Sequence, residues 1–246
     1  MSALRPFLVA LTFLTRAPVR LGSVTEADLG RSVAWFPAVG LVIGLGLAGI
    51  AWLGRGWMAA EPCAVVLVAA QALATGGLHI DGLADVFDGL GGGRGDRART
   101  LDIMRDSRIG ALGATAVVLA LLGKVVALAG LLRADTTWPL PLFPAAARWA
   151  TTPLVILFPY ARKEGLGRPF HEGGRASRLV IATLTLGIPV VALGWRALLP
   201  VGAAAVAAAI IAISVLRRLG GLTGDVYGAA IELGEVAFLL AARPGS

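Results

Sequence analysis

One cysteine, Cys63, and two histidines, His79 and His171, are the only residues of those types in this chain. A lone thiol forms no internal disulfide and no multi-thiolate zinc or iron–sulfur centre. Two histidines far apart in sequence also make a histidine-rich metal site a poor reading. No GxxxxGK[ST] loop is present, which argues against a nucleotide-hydrolysing motor. Internal repeats, a low-complexity tail and a long linker are absent as well, so residues 1–246 read as one domain. Charge is missing from long stretches, and residues 65–75 carry none at all.

What fills the chain is apolar. Hydrophobic residues make up 57% of it, with 33 glycines, and the mean hydropathy is +0.80. That balance predicts an all-α, polytopic integral membrane bundle. The net charge of +7 would suit nucleic acid only if it covered one face. Here the basic residues punctuate apolar spans, so no nucleic-acid partner is expected and the lipid bilayer is. Residues 4–16, LRPFLVALTFLTR, are too short to cross a bilayer. They lack a small-residue cleavage site and run into Arg16 and Arg20, so they read as an interfacial helix.

Seven spans are expected, at about 33–53, 61–80, 111–132, 138–160, 178–195, 200–216 and 224–242. Some are short for a hydrocarbon core of about 30 Å. Gly40, Gly44, Gly46 and Gly49 in the first would admit a close neighbour. Pro139, Pro141, Pro144, Pro153 and Pro159 predict an irregular fourth. With the N-terminus in the cytoplasm, sixteen Lys and Arg fall on the inner side and four on the outer. The positive-inside rule thus gives the orientation, and it puts the polar motifs at the cytoplasmic face.

The densest of those motifs is GGLHIDGLADVFDGLGGG, 76–93. Asp81, Asp85 and Asp88 are spaced i, i+4, i+7, one stripe on a helix. Three anions so close repel one another, and hard oxygen ligands suit magnesium or manganese. A solvated acidic face is the alternative. Acids directly continuing an uncharged, membrane-grade helix argue against it. Gly89, Gly91, Gly92, Gly93 and Gly95 with Arg94 suggest a turn whose N–H groups approach a phosphate. In MRDSRIGALG, 104–113, the trio Arg105, Asp106 and Arg108 suits substrate binding or an ion pair, with Ser107 as a helix cap.

A second acidic face follows in GGLTGDVYGAAIELGE, 220–235. Gly221, Asp225, Gly228, Glu232 and Glu235 share one side of a helix, and its natural partner is the first stripe through a shared ion. Acids on two helices with abundant arginine imply phosphoryl transfer. Asp81, Asp85, Asp88 and Asp225 are the candidate metal ligands, and Arg94, Arg105, Arg108, Arg148 and Arg162 the candidate phosphate binders. Glu232 is the leading candidate base, with Asp106 next. His79 reads as base, ligand or polar helix end. Arg148 reads as a partner of the acids, and Lys124 as either a partner or a snorkelling charge.

The same residues resemble a family. GGLHIDGLADVFDGLGGG, MRDSRIG, FLTRAPV (13–19), GRPF (167–170) and GLTGDVYGAAIE (221–232) are similar to the cobalamin synthases, the adenosylcobinamide-GDP ribazoletransferases. The resemblance implies an inner-membrane, Mg²⁺-dependent transferase with its active site facing the cytoplasm. A hydroxyl of α-ribazole or its 5′-phosphate attacks the cobinamide-side phosphorus of adenosylcobinamide-GDP, and GMP leaves. A looser likeness links the chain to CDP-alcohol phosphotransferases. Asp85, Asp88 and Gly89 match DxxDG, but Gly92 and Gly93 replace Ala-Arg, and Ala229 stands where the last aspartate of GxxxDxxxD belongs. A phospholipid synthase and an ion-coupled transporter are the rival readings. The transporter is disfavoured because the acids cluster at cytoplasmic span ends and no repeat appears. Oligomeric state is left open.

Overall fold

A computed structural model describes residues 4–162, 168–171 and 174–242. Lys163 and Arg243, both counted for orientation, and Gly167 of GRPF lie outside the described residues. Eleven α-helices are found among those residues: α1 (Arg5–Leu14), α2 (Glu26–Ser32), α3 (Phe36–Gly54), α4 (Ala60–Thr75), α5 (Leu78–Gly92), α6 (Arg97–Ile103), α7 (Ala111–Arg133), α8 (Pro139–Leu157), α9 (Arg175–Leu193), α10 (Leu198–Leu219) and α11 (Gly224–Ala241). The described chain has no strand, only an isolated bridge between Tyr160 and Leu222.

Helix α11 is the axis of the bundle, enclosed by α5, α7, α8 and α10. Helices α3 and α8 form the closest outer pair. A Cβ on Gly40 would stand 2.5 Å from the Ala145 Cα, and one on Gly44 2.6 Å from the Leu140 and Pro141 carbonyls. Gly46 and Gly49 face open space. Only half of the glycine pattern is therefore a packing seam. Helix α8 stays helical through Pro144 and Pro153, buried along most of its length.

Four helical runs are long and apolar enough to cross a membrane: Glu26–Gly54, Ala111–Arg133, Pro139–Leu157 and Arg175–Leu219. A fifth is added if α4 and α5 are one bent span. Seven were expected, and the difference has identifiable causes. Gly76 and Gly77 both adopt left-handed φ, 63° and 74°, and turn α5 by 90° from α4. The expected 61–80 span thus ends at Thr75. Helices α9 and α10 lie in one apolar run interrupted at Gly194, whose φ is 72°. Helix α11 carries three acids and buries two of them, Glu232 and Glu235, among its neighbours.

The two ends of the bundle differ. At one end Arg55 pairs with Asp135, and Arg133 Nε donates to Glu61 at 2.7 Å, beside exposed Trp52 and Trp57. Tryptophan at this level suits a lipid–water boundary. At the other end arginines tie loops together. Arg97 donates to the Leu219 and Ala161 carbonyls at 2.8 Å, Arg218 to Leu90 at 2.8 Å, and Arg178 to Phe170 at 2.7 Å. Between the ends Leu45, Leu122, Val126, Ile188, Val191 and Ile210 are exposed, an apolar belt for lipid. Helix α1 packs on α2 and α3 with Val9, Ala10 and Leu14 buried, and so forms part of the bundle wall.

The α3–α8 seam gives a direct test. Gly40→Leu and Gly44→Leu should each destabilise the protein by the roughly 1–3 kcal/mol or more typical of overpacking, seen as a lower thermal midpoint in detergent. Gly46→Leu and Gly49→Leu should leave it unchanged. Equal effects at all four positions would refute a seam confined to two.

Candidate active site

The two acidic elements meet where α5 crosses α11. A Cβ on Gly82 would lie 2.7 Å from the Asp225 carbonyl oxygen and 3.0 Å from its Cα. One turn on, Gly228 sits over His79 and Gly82, with 3.2 Å from its Cβ position to the His79 Cα. Backbone meets backbone here because each helix sets a glycine, Gly82 or Gly228, against the main chain of the other. Asp81 and Asp85 flank the contact, and Asp81, Asp225, Asp88 and Arg162 all lie near enough to act on the charge of Asp85. Arg162 donates to Asp225 Oδ2 at 2.9 Å, and the Thr223 hydroxyl donates to the same oxygen at 3.1 Å.

Arg162 reaches Asp225 because of a short backbone pairing. Ala161 N donates to the Leu222 carbonyl and Leu222 N to that of Pro159, both at 2.8 Å. Gly221 makes that approach possible, since its Cβ would fall 2.8 Å from Ala161 N. Its role is to seat this loop, distinct from the crossing that Gly228 serves.

Asp88 does different work. Its Oδ2 accepts from Gly110 N at 2.7 Å and its Oδ1 from Gly113 N at 2.8 Å, so it caps the N-terminus of α7. Both glycines are needed, because a Cβ at either would fall within 2.5 Å of the carboxylate. Ser107, the cap expected from sequence, is exposed while Asp88 fills that position from α5. The glycine run also differs from a phosphate loop. Gly89, Gly91 and Gly92 are helical and press on Met104, Leu112 and Ile103. Only Gly93, Arg94 and Gly95 form a turn, with Arg94 exposed at φ 50°. Arg105 is exposed. Arg108 grips Asp106 with Nε at 3.0 Å, holding that carboxyl at about 2, well below the usual range.

Glu232 and Arg148 lie in a buried network. Lys124 Nζ donates to Glu232 at 2.7 Å and to Glu235 at 2.5 Å. Arg148 Nη1 donates to Glu235 at 3.0 Å and to the Pro144 carbonyl at 2.9 Å, and Gln71 adds a bond to Glu235 at 2.9 Å. All of these side chains are buried. The expected link between Glu232 and the aspartate stripe is replaced by this pairing, which removes Glu232 from the crossing and gives Lys124 a partner.

Two clefts border the crossing, and Asp81 lines both. One, of about 340 Å³, is walled by Phe13, Phe36, His79, Phe170, Tyr227, Arg162 and Asp225. The other, about 640 Å³ and open, is lined by Thr15, Arg16, Thr75, Gly76 and Ile109. Sequence reasoning about charge overlooked Arg16, Tyr160 and Tyr227 as wall residues, although Arg16 and Tyr227 lie in motifs it singled out. The Arg16 side chain rests on Gly76, where a Cβ would be 2.4 Å from its Nε, and Arg16 N donates to the Ala74 carbonyl at 2.8 Å.

Among the described residues no three histidine, cysteine or acidic side chains stand ready to hold a metal unaided. The donor set nonetheless fits magnesium. Asp81, Asp85 and Asp225 are hard oxygen ligands beside one guanidinium, and magnesium is commonly held by one or two carboxylates together with substrate phosphates and water. Asp88 is the poorest fit, since both its oxygens already accept backbone N–H groups.

The family described as cobalamin-5-phosphate synthase matches residues 6–243. A relative from Geotalea daltonii, named adenosylcobinamide-GDP ribazoletransferase, is 41% identical over 96% of each chain. Relatives of the same name from Pseudomonas aeruginosa and Desulfitobacterium hafniense are 42% and 39% identical, covering 97% and 99% of this chain and 98% of their own. No solved structure matches. On both the family match and the near full-length relatives, this chain belongs to the cobalamin-5-phosphate synthase family.

Proposed function

We propose that the chain joins adenosylcobinamide-GDP to α-ribazole, or to its 5′-phosphate, giving adenosylcobalamin or its 5′-phosphate and releasing GMP. The observation that carries this reading is the backbone-tight crossing of α5 and α11, which gathers Asp81, Asp85, Asp225 and Arg162 beside two clefts. Its names come from the relatives. Arg162 holds a diphosphate oxygen as well as Asp225, and Arg16 on the open cleft adds a second guanidinium for the nucleotide. The acceptor hydroxyl forms a bond to the cobinamide-side phosphorus as the bond from that phosphorus to the GMP oxygen breaks. The hydroxyl proton passes to a carboxylate of the crossing. Asp81, Asp85 and Asp225 would hold Mg²⁺, which supplies charge neutralisation of the diphosphate. A phospholipid-forming reading is less favoured, because Ala229 stands buried where that motif needs a carboxylate.

The catalytic end is assigned to the cytoplasmic face of the bacterial inner membrane. Support comes from the basic residues gathered there, including Arg97, Arg162 and Arg218. Reporter fusions after Arg97 and Arg168 should give a cytoplasmic signal and one after Arg133 the opposite. A cytoplasmic signal from all three would overturn the assignment.

The four aspartates separate under assay. Asp81→Asn, Asp85→Asn and Asp225→Asn should each reduce GMP release by at least about a hundredfold, the scale of losing transition-state charge stabilisation. Asp225→Asn should also raise the magnesium concentration needed for half-maximal rate. Asp88→Ala should instead lower thermal stability by about 1 kcal/mol, the loss of a helix cap, and Asp88→Asn should recover part of it by keeping one acceptor. Normal turnover in all three crossing variants would end the reading of this site.

A further inference from the structure

The smaller cleft is unlike the rest of the site. Its mouth is polar, with Asp81 exposed and Arg162 and Asp225 half-buried. Its inner wall is apolar and buried, made by Leu14, Phe36, Val155, Phe170 and Ile231. Phe13 and Phe170 have ring centres 4.6 Å apart, and Phe36 and Phe170 5.8 Å, so aromatic rings form one side. The volume, about 340 Å³, falls at the low end of small-molecule sites, roughly 300–1,000 Å³. A nucleoside fits that space and a corrin ring does not.

Thr151, Tyr160, Tyr227 and His79 interrupt the apolar wall; the Thr151 hydroxyl already donates to the Ala147 carbonyl at 3.0 Å, and neither tyrosine is without a partner. His79 is buried, at 3% exposure, and its Nδ1 faces Arg148 Nη2 at 3.5 Å. A guanidinium has donors only, so Nδ1 must present its lone pair and the ring proton sits on Nε2. Arg148 is itself fixed by Glu235 and the Pro144 carbonyl. Nε2 has no hydrogen-bond partner among the described residues. His79, a wall residue of the cleft, therefore keeps one unspent donor beside it. Guanine carries donors and acceptors around its pairing edge and would leave most of them unmatched against this wall. A benzimidazole has an apolar body and a single ring nitrogen free to accept.

We infer that this cleft receives the heteroaromatic base of the acceptor nucleoside, with His79 Nε2–H donating to the ring nitrogen and the ribose turned toward Asp81. The inference rests on the ribazole-transfer reading for the identity of the acceptor. It gives His79 the role of a base-reading donor, with Arg148 as the residue that positions it. The nucleotide and corrinoid are left to the open cleft on the other side of Asp81.

The test uses the full chain in detergent, with α-ribazole binding measured by calorimetry without magnesium and GMP release measured with it. Val155→Phe fills the cleft and should weaken α-ribazole binding by about tenfold or more, while KM for adenosylcobinamide-GDP stays within about twofold. The wild-type chain gives a second reading that needs no variant. The α-riboside of indole, with C–H in place of the ring nitrogen, should bind roughly three- to tenfold more weakly than that of benzimidazole. In His79→Leu that ratio should fall to about one. No binding of α-ribazole, a rise confined to the KM for adenosylcobinamide-GDP in Val155→Phe, or equal binding of the two analogues by the wild type would each overturn the assignment. Cleft-dependent binding without GMP release would instead count against the transfer reading and leave the subsite standing.

Discussion

Two cations and two carboxylates are shut inside the bundle, and the arrangement of the helices follows from their need for one another. Lys124 comes from α7, Arg148 from α8, and Glu232 and Glu235 from α11. None can stay ionised alone in so apolar a surrounding, since an uncompensated buried charge costs several kcal/mol. Together they are electroneutral, and Gln71 of α4 adds a further bond. The network fixes the rotation of α11 about its own axis. That rotation is what turns Asp225, two turns earlier on the same helix, toward α5.

The network also links the interior to the site through one side chain. Arg148 faces His79, and His79 lies one turn before Gly82 on α5. Catalytic helices in a membrane bundle have little hydrophobic preference for one orientation over another, because lipid is as apolar as the helix faces. Polar pairing supplies the missing specificity here. The glycines complete it by removing the side chains that would otherwise hold the helices apart.

Much of this was legible in the chain. The aspartate spacing, the second acidic face and the long apolar runs forecast a helical membrane enzyme with its acids gathered, and the motifs pointed to the family. What could not be read was which acid does what. Asp88 has the same helical phase as Asp81 and Asp85, yet it faces the start of α7, a contact set by the Asp106–Gly110 turn and invisible to periodicity. Glu232 looks like a continuation of the Asp225 face until Lys124, more than a hundred residues earlier, claims it. The structure has four or five runs long and apolar enough to cross, against the seven expected, for a related reason. Hydropathy has no term for two left-handed glycines that end a span early.

The glycine crossing has a mechanical consequence. Where two helices are separated by side chains, their spacing can breathe as rotamers change. Between α5 and α11 the gap at Gly82 is already closed by main chain. The distance from the Asp81 and Asp85 backbone to that of Asp225 therefore has a floor and no slack below it, like the closed jaws of a caliper. Nothing a substrate does can draw these acids closer by compressing the joint, so adjustment must come from side-chain rotation alone. A site built this way holds its charges at a set reach before substrate arrives, and little of the reorganisation that a softer joint would require is left for the reaction step.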